Sequence, residues 1–344
     1  MTRALTVSID AMGGDAGPGV VVSALLKTIQ RHSDVRFVLH GDEAQLTQLV
    51  TRHATLKSRC TISHAPDRVS MEDKPSHVLR RGKDTSMWHT IQCVKDGDAD
   101  VAVSAGNTGA LMAVSMFGLG IIEGISRPAI AVLWPTLKGQ TVVLDVGANV
   151  SATEEQLVDF AVMGEAFAHA VLGLDKPSVG LLNVGVEEQK GNDAVKGAAE
   201  ILRAATAANF PMAFHGFIEG NDIAEGTVDV VVTDGFTGNI ALKTAEGTAK
   251  LVGQFLRRSL KRSLLGQIGA FIASGALNTL RRRLDPRAAN GGIFLGLGGV
   301  VVKSHGGTDA IGFASALDMA ITMAKADINT RITADRAHVG TVTA

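Results

Sequence analysis

A three-layer α/β/α sandwich is the fold class this sequence predicts, and three observations carry that reading. Short apolar, β-rich runs recur along the 344 residues, helical patterns separate many of them, and the residues just after the runs are glycine-rich and polar. The runs are Leu5 to Ile9, Val35 to Leu39, Val101 to Val103, Ala129 to Leu133, Val142 to Leu144, Val179 to Leu182, Val228 to Val232 and Val300 to Val302. Near-continuous apolar runs suit strands buried on both faces. Their alternation with helices argues for a mostly parallel sheet covered on each side.

Composition supports a packed body. With 46% hydrophobic residues the chain can build a sizeable core. The 39 glycines are about 11% of the chain against a usual share of about 7%, yet they stand singly or in pairs between apolar runs, as tight loops require. A formal charge of −1 excludes a nucleic-acid-like electrostatic footprint, so attraction for an anion must come from local clusters. Cys60 and Cys93 form neither a CxxC pair nor a metal-ligand spacing, which points to a reduced, cytoplasmic protein without a structural metal. The first residues lack a signal-peptide core and run directly into the first strand. With no repeat and no linker, residues 1–344 read as one α/β domain.

The segment from Lys243 to Pro286 differs from the rest and reads as a projecting helical hairpin. Leu256, Leu260, Leu264, Ile268 and Ile272 recur at four-residue spacing, and glycines at 266, 269 and 275 interrupt the pattern, so a helix, a break and a second helix are expected. Arg257, Arg258, Lys261, Arg262, Arg281, Arg282 and Arg283 flank an apolar stretch around Ile268, Phe271, Ile272 and Leu277, with no acidic residue between them. A spanning helix needs about 20 apolar residues, so this segment predicts contact with an anionic membrane surface without crossing. A dimer-packing or carrier-docking arm is the competing reading.

Ligands of open parallel sheets bind beyond the carboxyl ends of the strands, so the loops there carry the functional reading. They are Asp10 to Asp15 with Gly13 and Gly14, Ser104 to Gly109 with Gly106, Asn107 and Thr108, and Asp145 to Asn149. The others are Asn183 to Asp193 with Lys190 and Asn192, Thr233 to Asn239 with Asp234, and Lys303 to Asp309 with Ser304 and His305. All six are expected to converge on one rim. Any one of them is ordinary turn chemistry. Together they offer glycines that let backbone N–H groups approach an anion, beside helix starts that favour negative charge.

Absent motifs narrow the chemistry. No Gly-x-Gly-x-x-Gly opens the first helix, no Gly-x-x-x-x-Gly-Lys-Ser/Thr occurs, and no Gly-x-Ser-x-Gly elbow is present. Cys93 sits inside an apolar helical pattern, so a covalent acyl-enzyme has no evident nucleophile. Lys190 and His305 are the cationic candidates. Asp10, Asp15 and Asp234 could instead hold a divalent metal, although their spacing specifies no metal geometry.

Ser8-Ile-Asp-Ala-Met-Gly-Gly-Asp15, Ser104-Ala-Gly-Asn-Thr-Gly109 and Leu144-Asp-Val-Gly-Ala-Asn149 together resemble the bacterial acyl-ACP:phosphate acyltransferases, the PlsX family. Asn183 to Asn192, Gly216 to Asn221, Thr233 to Asn239 and Lys303-Ser-His-Gly306 follow in the family's order, so the resemblance spans residues from about 5 to 325. It implies a fold related to isocitrate and isopropylmalate dehydrogenases and to phosphotransacetylase, and a homodimer that needs no cofactor. It implies acyl carrier protein as acyl donor, inorganic phosphate as acceptor, and acyl phosphate passed to a membrane glycerol-3-phosphate acyltransferase for phospholipid synthesis. The Ser-Arg pair expected near the last strand of phosphotransacetylase-like relatives is Ser304-His305 here.

That chemistry asks for charge neutralisation more than for a strong base, because phosphate already carries nucleophilic oxygens. Phosphate is assigned to the Ser104–Gly109 loop and the Gly13-Gly14 turn. Lys190 would supply positive charge, and His305 would polarise the thioester oxygen or shuttle a proton. Asn107, Asp234 and Asn239 would orient ligands or loops. Two other classes fit parts of the sequence. A dehydrogenase of the related fold is disfavoured by the missing dinucleotide fingerprint, and a non-enzymatic membrane scaffold would leave six polar loops without a role.

Overall fold

The computed structural model describes residues 4–283 and 291–343. The chain opens with β1 (Thr6–Asp10), α1 (Pro18–Arg31), β2 (Arg36–Gly41), α2 (Glu43–Val50), α3 (Ala54–Lys57) and β3 (Cys60–His64). There follow α4 (Pro75–Arg81), α5 (Ser86–Lys95), β4 (Val101–Ser104), α6 (Thr108–Leu119), β5 (Ala129–Thr136) and β6 (Gly139–Leu144). The next elements are α7 (Glu154–Leu172), β7 (Ser178–Leu182), α8 (Asp193–Ala207), β8 (Ala213–Ile218), α9 (Gly220–Glu225) and β9 (Val230–Val232). Last come α10 (Gly235–Lys261), α11 (Leu264–Ile272), α12 (Ser274–Arg283), β10 (Gly292–Leu295), β11 (Val300–Lys303), α13 (Ala310–Ala326) and α14 (Ile328–Thr343).

Local chemistry sets many of these boundaries. Pro18 occupies the first turn of α1, where its missing N–H costs nothing. A capping box of Thr153 and Gln156 opens α7, and Gly173 closes it in the left-handed conformation. All strands join one sheet in the order β3-β2-β1-β4-β11-β10-β5-β6-β9-β7-β8. Alternate residues supply its two faces: Val101 and Val103 pack on the side of α1, α7, α8, α13 and α14, whereas Ala102 packs with α4, α5 and α6. Phe160 and Phe167 of α7 are fully enclosed on the first side. Each such side chain contributes roughly 1.5–3 kcal/mol on burial.

Every apolar run of the sequence overlaps a strand, to within two residues. Three strands had no such run. β3 and β8 are the two edges of the sheet and are only partly buried, so their residues need not be continuously apolar. β10 is the short segment Gly-Ile-Phe-Leu.

The expected single rim is overturned by strand direction. β10 is antiparallel to both β11 and β5, and β5 is antiparallel to β6. Hence β1, β2, β3, β4 and β11 run one way, and β6, β7, β8 and β9 run the other. The six loops therefore leave from two opposite edges, three from each. An apolar run carries no arrow. Here the direction is reversed by the tight Leu137-Lys138 turn between β5 and β6, too short for a crossover.

The arm also differs from a two-helix hairpin. α10 begins at Gly235, eight residues before the expected start, because Asp234 caps it by accepting from the Thr237 N–H at 2.9 Å. Gly235 and Gly238 are buried in the body, after which α10 runs out into solvent and α11 and α12 follow as separate short helices. Phe271 and Ile272 are 81% and 78% exposed. The side chains of Arg281, Arg282 and Arg283, and the whole of residues 284–286, lie outside the described residues.

Candidate functional site

The first edge is built on a row of registered residues: Asp10 of β1 pairs with Ser104 of β4, and Ser104 pairs with Lys303 of β11. Cross-strand partners point to the same face, so a carboxylate, a hydroxyl and an ammonium lie side by side under the loops. Asp10 is 1% exposed. Its two oxygens accept from Ser86 Oγ at 2.6 Å and Ser104 Oγ at 2.7 Å, and from the Met12 and Gly13 amides. Burial pushes this carboxyl above its usual range, and those four bonds pull it back. Their all-acceptor pattern suits the ionised form. Asp10 and Ser104 thus support the cradle from beneath, and neither side chain reaches its surface.

Glycine is required where the loops meet. Asp15 N–H donates to Gly306 O at 2.9 Å, and Gly14, at φ +84, would bring a Cβ to 2.8 Å from that same carbonyl. A Cβ on Gly13 would run into the Asp10 carboxylate and approach the Gly106 amide at 2.9 Å. The Gly106 amide donates to Ser104 Oγ at 3.0 Å, and Ser304 N–H donates to Ser104 O at 2.9 Å. Ser304 is fully buried and ties β11 to β4.

Asn107 caps α6 by accepting from the Ala110 N–H at 3.0 Å, while its Nδ2 donates to Met71 O at 2.9 Å and Asp73 O at 3.0 Å. It holds the loop over residues 70–73 against the site. Thr108 and Gly109, exposed in the first turn of α6, present amides that helix geometry leaves without intrahelical partners. His305 is exposed, and its Nδ1 accepts from the Gly307 N–H at 3.2 Å. With Nδ1 an acceptor, the proton of the neutral ring sits on Nε2. Asp309 caps α13, accepting from Ile311 and Gly312.

The second edge gathers the loops after β6, β7 and β9. Asp145 is fully buried and accepts from the amides of Ile130, Gly147, Ala148 and Asn149 and from Asn149 Nδ2, at 2.7–3.1 Å. A Cβ on Gly147 would come to 3.7 Å from the Asn239 side chain. Asn192 caps α8 by accepting from Val195 N–H at 2.9 Å. Lys190 pairs with Glu187 at 2.7 Å, which holds the Glu187 carboxyl below and the Lys190 ammonium above their ordinary values.

The structure thus unites Asp10, Gly13, Gly14, Asp15, Ser104, Gly106, Asn107, Thr108, Gly109, Ser304 and His305 on one edge, and sets Lys190, Asn192, Asp234 and Asn239 at the other. Lys190 and His305 do not share a rim. The proposed aspartate trio is divided too, because Asp234 is an N-cap on the second edge. Sequence reasoning missed Ser86, which starts a helix and follows no strand, and gave no role to Lys303, which read as the first residue of the last loop. Neither cysteine offers a nucleophile: Cys93 is buried in α5, and burial pushes the Cys60 thiol up to about 12.

Solved structures define the class. A phosphotransacetylase from Streptococcus pyogenes superposes with a TM-score of 0.64 at 18% identity, covering 94% of this chain and 95% of its own. A 4-hydroxythreonine-4-phosphate dehydrogenase from Klebsiella pneumoniae gives 0.53 at 13% identity, covering 94% and 98%. The fold is therefore the α/β/α sandwich shared by phosphotransacetylases and such dehydrogenases. A family profile described as fatty acid synthesis protein matches residues 5–331. Curated relatives named phosphate acyltransferase include one from Parvibaculum lavamentivorans, 54% identical over 97% of this chain and 92% of its own. Another, from Paramagnetospirillum magneticum, is 55% identical over 96% and 94%. The chain belongs to the phosphate acyltransferase family and is an acyltransferase.

Proposed function

We propose that this enzyme transfers a fatty acyl group from acyl carrier protein to inorganic phosphate, releasing acyl phosphate for phosphatidic acid synthesis. The observation that carries the reading is the meeting of three glycine-bearing loops on the first edge, above the row Asp10, Ser104 and Lys303. A phosphate oxygen seated there attacks the thioester carbonyl carbon. The new C–O bond forms as the carbonyl oxygen gains negative charge, and collapse of that oxyanion breaks the C–S bond. His305, whose neutral ring carries its proton on Nε2, donates a hydrogen bond to the oxyanion or to the departing sulfur. The thiol leaves with the proton that hydrogen phosphate gives up as its oxygen is acylated, and no acyl group is attached to the protein.

The arm supports a second part of the proposal. Its basic residues Arg257, Arg258, Lys261 and Arg262, next to exposed Leu264, Ile268, Phe271 and Ile272, suit both an acidic carrier protein and an anionic membrane surface. Among the described residues no helix is long and apolar enough to cross a membrane. We assign the enzyme to the cytoplasmic face of the membrane, as a homodimer that hands its product to a membrane-bound glycerol-3-phosphate acyltransferase.

The test is direct. Palmitoyl-ACP and phosphate should yield a product trapped by hydroxylamine, strictly dependent on phosphate. Product without phosphate, or a stable adduct on Cys60 or Cys93, would overturn the mechanism.

A further inference from the structure

Lys303 is the one lysine buried among the described residues, 9% exposed at the end of β11. Its ammonium donates to Ala105 O at 3.4 Å and to Ser304 O. Both acceptors are neutral carbonyls, and among the described residues no carboxylate stands within ion-pair distance of it. An ammonium taken out of water costs several kcal/mol unless charge or full hydrogen bonding compensates it. Two neutral carbonyl contacts, one of them long, leave that compensation incomplete.

The surroundings say what completes it. Asp10 from β1 and Asp15 from the loop above act on Lys303 from a distance, but Asp10 is saturated by Ser86, Ser104 and two amides. From α10, Lys243, which pairs with Glu246 at 2.9 Å, still opposes the charge on Lys303. A buried ammonium held against the Ala105 carbonyl, beneath a glycine cradle and beside the amino end of α6, is arranged for an anion.

We propose that Lys303 is the internal cation of the anion site, neutralising an oxyanion held between the Gly13-Gly14 turn, the Ser104–Gly109 loop and Lys243. Only the naming of that anion as the phosphate nucleophile rests on the acyl-transfer reading. The role is charge neutralisation and positioning from beneath the loops. It also replaces Lys190, at the opposite edge, as the source of positive charge.

A pH signature follows from the surroundings. Burial pulls the Lys303 ammonium down to about 8, Asp10 and Asp15 oppose the shift, and Lys243 adds to it. Only the protonated form attracts an anion, so binding is full below that value and lost above it.

Sulfate tests this cleanly, being a dianion throughout pH 6.5–9.5, so that any titration belongs to the protein. Sulfate binding to the full-length enzyme, read as thermal protection and as competition with phosphate, should weaken about tenfold per pH unit above about 8. Lys303→Met should weaken it at least roughly tenfold at pH 7 and abolish the alkaline limb, while the KM for the acyl donor stays near wild type. Lys243→Gln should move the limb to higher pH and Asp15→Asn to lower pH, shifts that a merely structural lysine would not produce. If Lys303→Met fails to fold, these two variants carry the test with Lys303 intact. Unchanged sulfate affinity in Lys303→Met, or a limb that ignores both neighbours, would overturn the proposal. Wild-type protein that binds sulfate with this pH dependence yet makes no acyl phosphate would refute acyl transfer and leave the Lys303 site standing.

Discussion

At the end of β1 and again at the end of β6 stands a buried aspartate that collects backbone N–H donors from the glycine-containing loop just after it. Asp10 takes the amides of Met12 and Gly13, and Asp145 takes those of Gly147, Ala148 and Asn149. The difference is in the remaining partners. Asp145 spends its other lone pairs on Ile130 and the Asn149 side chain, so an anion-binding nest is already filled by the chain's own carboxylate. Asp10 instead holds hydroxyls from α5 and β4, and the neighbouring lysine is left short of a counter-charge. Two similar motifs thus become a closed joint on one edge and an open anion site on the other. The closed edge also starts α10, which leads into the arm.

Function should divide the same way. The largest effect is expected at His305: His305→Ala should lower kcat by roughly 10²-fold or more with Tm near wild type, since the ring is exposed and one acid–base or electrostatic element is lost. Activity within a few-fold would remove His305 from the first edge's chemistry. At the second edge, Asp145→Ala should instead cost stability, roughly 2–4 kcal/mol, by leaving several buried donors unpaired. Urea unfolding measures it, and turnover of the folded fraction should hold within a few-fold. A collapse of turnover at unchanged stability would make the second edge part of the active site.

The arm sharpens the comparison at lower energy. Each basic residue near an anionic leaflet contributes on the order of 1 kcal/mol, so binding should be reversible and salt-sensitive. In liposome flotation, the double variant Phe271→Glu, Ile272→Glu should lose anionic vesicles that the wild type binds. Equal binding by both, or none by either at low salt, would take the membrane away from the arm. The smallest effect belongs to Lys190, exposed and already paired with Glu187. Lys190→Ala should leave Tm unchanged and turnover within a few-fold. A 10²-fold loss would mean that its loop reaches the anion from the second edge.

Read without a structure, the chain already discloses the strand-helix alternation, because strands buried on both faces must be apolar throughout, whatever they pack against. It also discloses the loops: Gly14 sits where φ is positive and Asn107, Asn192, Asp234 and Asp309 sit at helix starts, local requirements that leave local marks. Ordered motifs suffice to place the chain in its family. Strand direction is not written in apolarity, so only the run of antiparallel pairings from β11 through β10 and β5 to β6 divides six alike loops between two edges and parts Lys190 from His305. Lys303 is hidden for the same reason. Opening a polar loop after Val-Val-Val, it reads as a charge emerging into water, and it becomes a buried cation only because β11 pairs with β4 and sets it against the Ala105 carbonyl, a contact between residues far apart in the chain.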